Sequence, residues 1–236
     1  MGEYYFFRFK APEAFLAHFT MNATSWDSLA NVANRQRESA RYSLLFYPGQ
    51  VNTGEHEDEV HRLFTEVLDF DGDEKEKQLY GLPQKNRYFD FTRTSDGQII
   101  DSSTLFGRDA FFELVFPNCS LKVGDNWEWN DVRHGLWDLT RKYQLLEVKK
   151  DKELVAKIKS TVISNPGSLQ KIEASETFYF SLARGQILGT FSEGKVTQGP
   201  YNRQYIFTKR PKSQFSEKFP DMEKINFIQP LKKNIC

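Results

Sequence analysis

A chain of 236 residues is long enough to bury one large β-rich core, or two small ones, without disulfide staples. Lys plus Arg equals Asp plus Glu at 32 each, so no global field gathers polyanions or draws the chain onto an anionic membrane, and nucleic acid is excluded as a first guess. An aromatic share of 15%, with 21 Phe, favours pleated, half-buried surfaces and argues against an all-helical bundle. The two cysteines, Cys119 and Cys236, do not define a redox compartment. No apolar run approaches the roughly 20 residues of a transmembrane helix. Met1-Gly2-Glu3-Tyr4-Tyr5-Phe6 lacks the basic region and cleavage site of a secretory signal, so the expectation is a soluble chain, cytoplasmic unless a leader preceded Glu3.

Tyr5, Phe7 and Phe9 alternate against Tyr4, Phe6 and Arg8, which predicts a strand ending near Pro12 with both faces covered. Residues 24 to 40 change character: Thr24 or Ser25 can cap a helix, and Trp26, Leu29, Val32 and Ala33 recur at helical spacing. Tyr42, Leu44 and Phe46 resume a strand that Pro48-Gly49 stops. From Glu57 a second helix is expected, because Val60, Leu63, Phe64, Val67 and Leu68 fit one helical face while strand alternation is broken.

Beyond Pro83 the period settles at two. Phe89 and Phe91 belong to a strand that turns at Ser95-Asp96-Gly97 and returns through Gln98-Ile99-Ile100. The same phrase recurs later: Phe178 and Phe180, a turn, then Gly185-Gln186-Ile187-Leu188. Such a repeated hairpin suggests two related sheet-forming halves. Between the copies come an apolar strand over Phe111 to Phe116, another through Trp137, Leu139, Tyr143 and Leu145, and a third over residues 154 to 162. In that third strand Leu154, Ala156, Ile158, Ser160 and Val162 share the dry face, while Lys157, Lys159 and Thr161 take the wet one. A strand at Tyr205 to Phe207 follows, and from Lys212 onward Pro, Lys and Ser replace the pattern, so an extended arm is expected. Turns every ~8 to 15 residues are the mark of antiparallel β structure.

Few motifs carry chemistry. His56 and His61 are five apart, which puts them off a common helical face and removes them as a metal pair. Asp69, Asp71 and Asp73 imitate the opening of a calcium loop, but Glu74 stands where glycine is needed and Tyr80 where a bidentate glutamate is needed. Gly194 and Gly199 flank a loop with no Gly-Lys-Ser/Thr ending. No serine sits in a nucleophile elbow, and neither cysteine is near a histidine in sequence. No catalytic residue, metal site or cofactor is therefore assigned.

The densest aromatic and polar cluster is Val123-Gly124-Asp125-Asn126-Trp127-Glu128-Trp129, with His134 and Trp137 close behind. Trp127 and Trp129 share a strand face, which suits either a stacking platform for a flat ligand or a core corner filled by two indoles. The Val-Gly-Asp-x-Trp phrase, with the strand of Thr140 to Val148 and the later Gly-x-Ile/Leu succession, resembles β-rich bacterial envelope proteins of unknown function over roughly residues 86 to 210. Their fold is similar to the curved antiparallel half-barrel of lipoprotein carriers. The resemblance implies a non-catalytic protein whose concave face holds an apolar small molecule or a partner chain.

The expected fold is thus mainly β (α+β), a curved antiparallel meander or half-barrel with two or three short helices in the N-terminal third. One β-rich domain is expected over residues 1–211, with halves at 1–116 and 117–211, and an arm over residues 212–236. Candidate ligand-binding residues are Trp127, Trp129, Trp137, His134, Phe178 and Phe180, with Phe89, Phe91 and Ile187 near the same face. Phe219, Phe227 and Ile228 of the arm are candidates for docking in an oligomeric assembly, the second class of function. An enzyme, such as a hydrolase, would require His134 or His18 to meet an acidic residue in a deep pocket.

Overall fold

The structure, a computed structural model, describes residues 2–10, 15–29, 36–48, 60–71, 88–102, 114–133, 137–150 and 152–211. Its regular elements are strands: β1 (Phe15–Asp27), β2 (Gln36–Pro48), β3 (Val60–Asp71), β4 (Tyr88–Thr94), β5 (Ile99–Ser102), β6 (Asn126–Arg133), β7 (Trp137–Lys150), β8 (Leu154–Ser164), β9 (Lys171–Ser181), β10 (Gln186–Gln198) and β11 (Tyr201–Pro211). They form one antiparallel sheet of eleven strands in the order β5, β4, β3, β2, β1, β11, β10, β9, β8, β7, β6. The first five strands are contiguous, the last six are contiguous, and the ladder between β1 and β11 is the seam that joins them, running from Ala17 opposite Pro211 to Asp27 opposite Tyr201. The terminal strands β5 and β6 are not paired with each other, so the sheet is not closed.

The mainly β expectation is met, and the expected N-terminal helices are corrected: among the described residues there is no helix. Residues 24 to 27 end β1 and residues 36 to 40 begin β2, where the first helix was expected. Thr24 lies opposite Gln204 and Arg37, so ladder partners on both sides outweigh its local capping tendency. The second expected helix is β3. Its register against β2 jumps from Asp69 opposite Ser43 to Val67 opposite Leu44, which leaves Leu68 as the extra residue of a bulge. That bulge breaks the two-residue period and leaves apolar positions that imitate a helical face.

The wet and dry faces expected for residues 154 to 162 are present: Ala156, Ile158, Ser160 and Val162 are buried, while Lys159 and Thr161 are exposed and Lys157 is half-buried. The parity continues on β9, where Ile172, Ala174, Glu176, Phe178 and Phe180 are buried. Phe111 to Phe116 was expected to be a strand, but its described residues 114 to 116 are irregular, with all three side chains buried.

The opening segment is extended rather than a full strand, tied by a single bridge in which Tyr5 and Leu121 exchange backbone hydrogen bonds of 2.7 and 2.8 Å. Only its odd-numbered face is covered. Phe7 and Phe9 are buried, whereas Tyr4 and Phe6 are 63% and 54% exposed, so the expectation of two covered faces fails for the even side.

The repeated Gly-Gln-Ile phrase builds two similar turns. Gly97 donates its amide to the Thr94 carbonyl and Gly185 donates to the Ser181 carbonyl, both at 2.9 Å. The hydroxyls are used differently: Thr94 Oγ1 accepts from the Gln98 amide, just after the glycine, at 3.0 Å, and Ser181 Oγ accepts from the Arg184 amide, just before it, at 3.1 Å. Both turns grip the opening segment, because the Phe9 amide donates to the Ser95 carbonyl at 2.6 Å and the Lys10 amide donates to the Gly185 carbonyl at 3.1 Å. Glycine is required at each place: φ is +106° at Gly97 and +60° at Gly185, and a Cβ there would lie 2.1 Å from the Leu114 carbonyl oxygen or 2.6 Å from the Lys10 amide nitrogen.

Candidate binding face

The dry face of β7 to β10 is graded along the strands. At one end Phe178 and Phe180 meet side chains from the two irregular segments, residues 5–9 and 114–121. Phe116 stands edge-on to Phe180 with centroids 4.8 Å apart, Phe7 stacks on Phe116 at 5.0 Å, and Phe9 stands edge-on to Phe180 at 5.1 Å. These rings supply hydrophobic area and favourable edge and offset contacts. Leu145, Ala156, Ile158 and Ile187 complete the cluster.

Trp127 reaches that cluster because Val123-Gly124-Asp125 is locked onto β7: the Gly124 amide donates to the Leu145 carbonyl at 2.8 Å, and the Leu145 amide donates to the Asp125 carbonyl at 3.0 Å. The indole Nε1 donates to the Val115 carbonyl at 2.7 Å, and the ring stacks on Tyr143 with centroids 5.2 Å apart. Trp129 is half-buried against the same cluster. Phe178 and Phe180 are fully buried in it. Trp137 begins β7, opposite Arg133, and Phe89 and Phe91 lie on β4. His134, Phe219, Phe227 and Ile228 lie outside the described residues. His18 sits on β1 between Ser43 and Arg210.

One register step from the aromatic end, the same face turns polar. Tyr143, Ser160, Glu176 and Ser192 are successive cross-strand partners on β7, β8, β9 and β10. Arg141, two residues along β7, donates from Nη1 to Glu176 Oε2 at 2.7 Å, and both side chains are fully buried. Burial pushes the Glu176 carboxyl above its ordinary pKa, while the Arg141 charge and the Ser160 hydroxyl pull it back. Beyond this row come small side chains, Val162, Ala174 and Gly194, which are partners across β8, β9 and β10.

Sequence reasoning missed Arg141 and Glu176, although a signal was present. Arg141 shares the parity of Leu139, Tyr143 and Leu145, and Glu176 shares that of Ala174, Phe178 and Phe180, so each is a charge at a dry position.

A shallow depression of about 570 Å³ lies over β8 to β11, and its lining includes Val162, Ala174 and Gly194 together with Thr161, Glu173 and Lys195. Its mixed charges select no ligand. Among the described residues, no group of three or more His, Cys, Asp or Glu is placed to hold a metal ion, and no helix is long and apolar enough to cross a membrane. Compared with models of known protein families and with curated proteins, the chain matches none.

Proposed function

We propose that this chain is a non-catalytic binding protein that holds an apolar or amphipathic ligand, or an apolar segment of a partner, against the dry face of its curved sheet. The carrying observation is that the described residues supply one unclosed sheet whose strands β7 to β10 bury one face, with no helix among those residues. A single sheet buries a face only by curling over something, and here the two irregular segments cover the aromatic end of that face. The Val123-Gly124-Asp125-x-Trp127 resemblance favours a bacterial envelope setting for such a protein.

The test is native mass spectrometry of the protein purified from its source, followed by organic extraction. The expected result is a non-covalent adduct that extraction removes. A protein that carries no adduct and binds no long-chain probe in titration overturns the reading.

A further inference from the structure

One phenyl ring bridges two distant strands. Phe9 stands edge-on to Phe180 of β9 with centroids 5.1 Å apart, and the Arg93 guanidinium of β4 lies over the same ring, Cζ 3.8 Å from its centroid. In the order of the sheet β4 and β9 are six places apart, roughly 29 Å if the sheet were flat. The strands therefore curl round the opening segment, which the two hairpin turns grip at Ser95 and Gly185. Arg93 stands at this gripped end, opposite His61 of β3 and Ile99 of β5.

Arg93 is a cation without an anion. Among the described residues no carboxylate pairs with it. Asp96 is used inside its own turn by the Thr94 hydroxyl and the Gln98 amide, and Asp90 and Asp101 stand at positions of the opposite parity. The Arg93 Nε is enclosed and has no hydrogen-bond partner, while the side chain as a whole is half-buried, so the Nη1 and Nη2 edge is the part that reaches open space. Removal from water pulls its pKa down to about 9, which leaves it a cation at neutral pH.

That open edge has a definite chemistry. A guanidinium presents parallel N–H donors that the two oxygens of a carboxylate accept together. Stacking on Phe9 fixes the plane of the fork, so little freedom is left to lose when an anion docks. The surroundings are apolar: Phe9 belongs to the aromatic cluster, and the β4 positions two and four residues back are Phe91 and Phe89.

From this juxtaposition we infer that Arg93 anchors the carboxylate of an amphiphile whose apolar chain lies within the curl of the sheet. The inference rests on the binding function proposed above and specifies its ligand class.

The experiment titrates the whole chain with decanoate, decan-1-ol and decyltrimethylammonium by isothermal calorimetry at pH 8, in the parent, in Arg93→Gln and in Arg93→Lys. The parent is expected to bind decanoate roughly tenfold or more tighter than decan-1-ol, the effect of charge-assisted hydrogen bonds, and the ammonium most weakly. Arg93→Gln should lose that preference while keeping its affinity for decan-1-ol. Arg93→Lys keeps a cation but not the fork, so its preference should fall part of the way, and it serves as the second variant should Arg93→Gln fail to fold. Decanoate bound no tighter than decan-1-ol, the ammonium bound tightest, or an anion preference that falls in neither variant each overturns the anchor and leaves the apolar binding role standing. Binding of none of the three probes overturns both.

Discussion

The two glycines that follow the repeated turns are constrained by contact as well as by φ. An alanine at Gly97 or Gly185 must both hold a left-handed backbone and push into the opening segment or the Leu114 carbonyl. Each substitution is expected to cost about 2 kcal/mol or more in urea unfolding, whereas Gly167→Ala, at φ +97° but with open space around its Cβ, should cost about 1 kcal/mol. The buried pair has a different signature. Arg141→Met leaves the Glu176 carboxylate without its cation, and should cost about 3–5 kcal/mol at neutral pH. Because burial raises the Glu176 pKa on folding, the folded chain keeps this proton at pH values where the unfolded chain has released it. The associated stability is fully present below the ordinary carboxylate range and is lost as pH rises through the folded pKa. Relative to Glu176→Gln, the parent's urea midpoint should therefore fall as pH rises above the ordinary carboxylate range. These charges were readable from parity alone, since each stands among apolar residues two apart. That they bond each other was not readable, because Arg141 and Glu176 are 35 residues apart and on strands that are not neighbours in the sheet.

At the scale of elements, strands with an unbroken period were legible and those with a bulge were not. Residues 154 to 162 announce β8 through strict alternation, whereas Leu68 of β3 disrupts it and turns Leu63, Phe64, Val67 and Leu68 into a false helical stripe. The first segment shows the complementary error. Five of the six residues from Tyr4 to Phe9 are rings, on both faces, and only tertiary structure decides which of them are covered. Phe7→Ala and Phe9→Ala are each expected to cost about 3–5 kcal/mol, since each empties part of the aromatic cluster. Phe6→Ala should stay within about 1 kcal/mol, because that ring is more than half exposed and loses mainly its contact with the Arg8 guanidinium, 4.2 Å away. Chemical denaturation of the three variants separates the two faces of one segment.

For the molecule as a whole, composition and turn spacing indicated an antiparallel β protein, and the repeated phrase pointed to two halves. The seam was invisible, because nothing in β1 or β11 marks one as the partner of the other across 174 to 194 residues. Its energetic weight should be large: β11 is the ladder that connects the two blocks of strands, so a chain ending at Gln198 is expected to lose the cooperative unfolding transition of the full-length protein. Fluorescence-monitored urea titration of the two chains checks this. Pairing at such separation also places refolding in the slow range typical of β topologies, milliseconds to seconds, by stopped-flow fluorescence.

The same ladder has a cost during biosynthesis. One side of β1 can zip onto β2 soon after both leave the ribosome, but the other side waits for the last strand of the sheet. At roughly 5–20 residues per second, that wait lasts on the order of ten to forty seconds, with backbone donors and acceptors on offer to any other nascent chain. An early strand left half-paired for so long is a natural client for a holding chaperone.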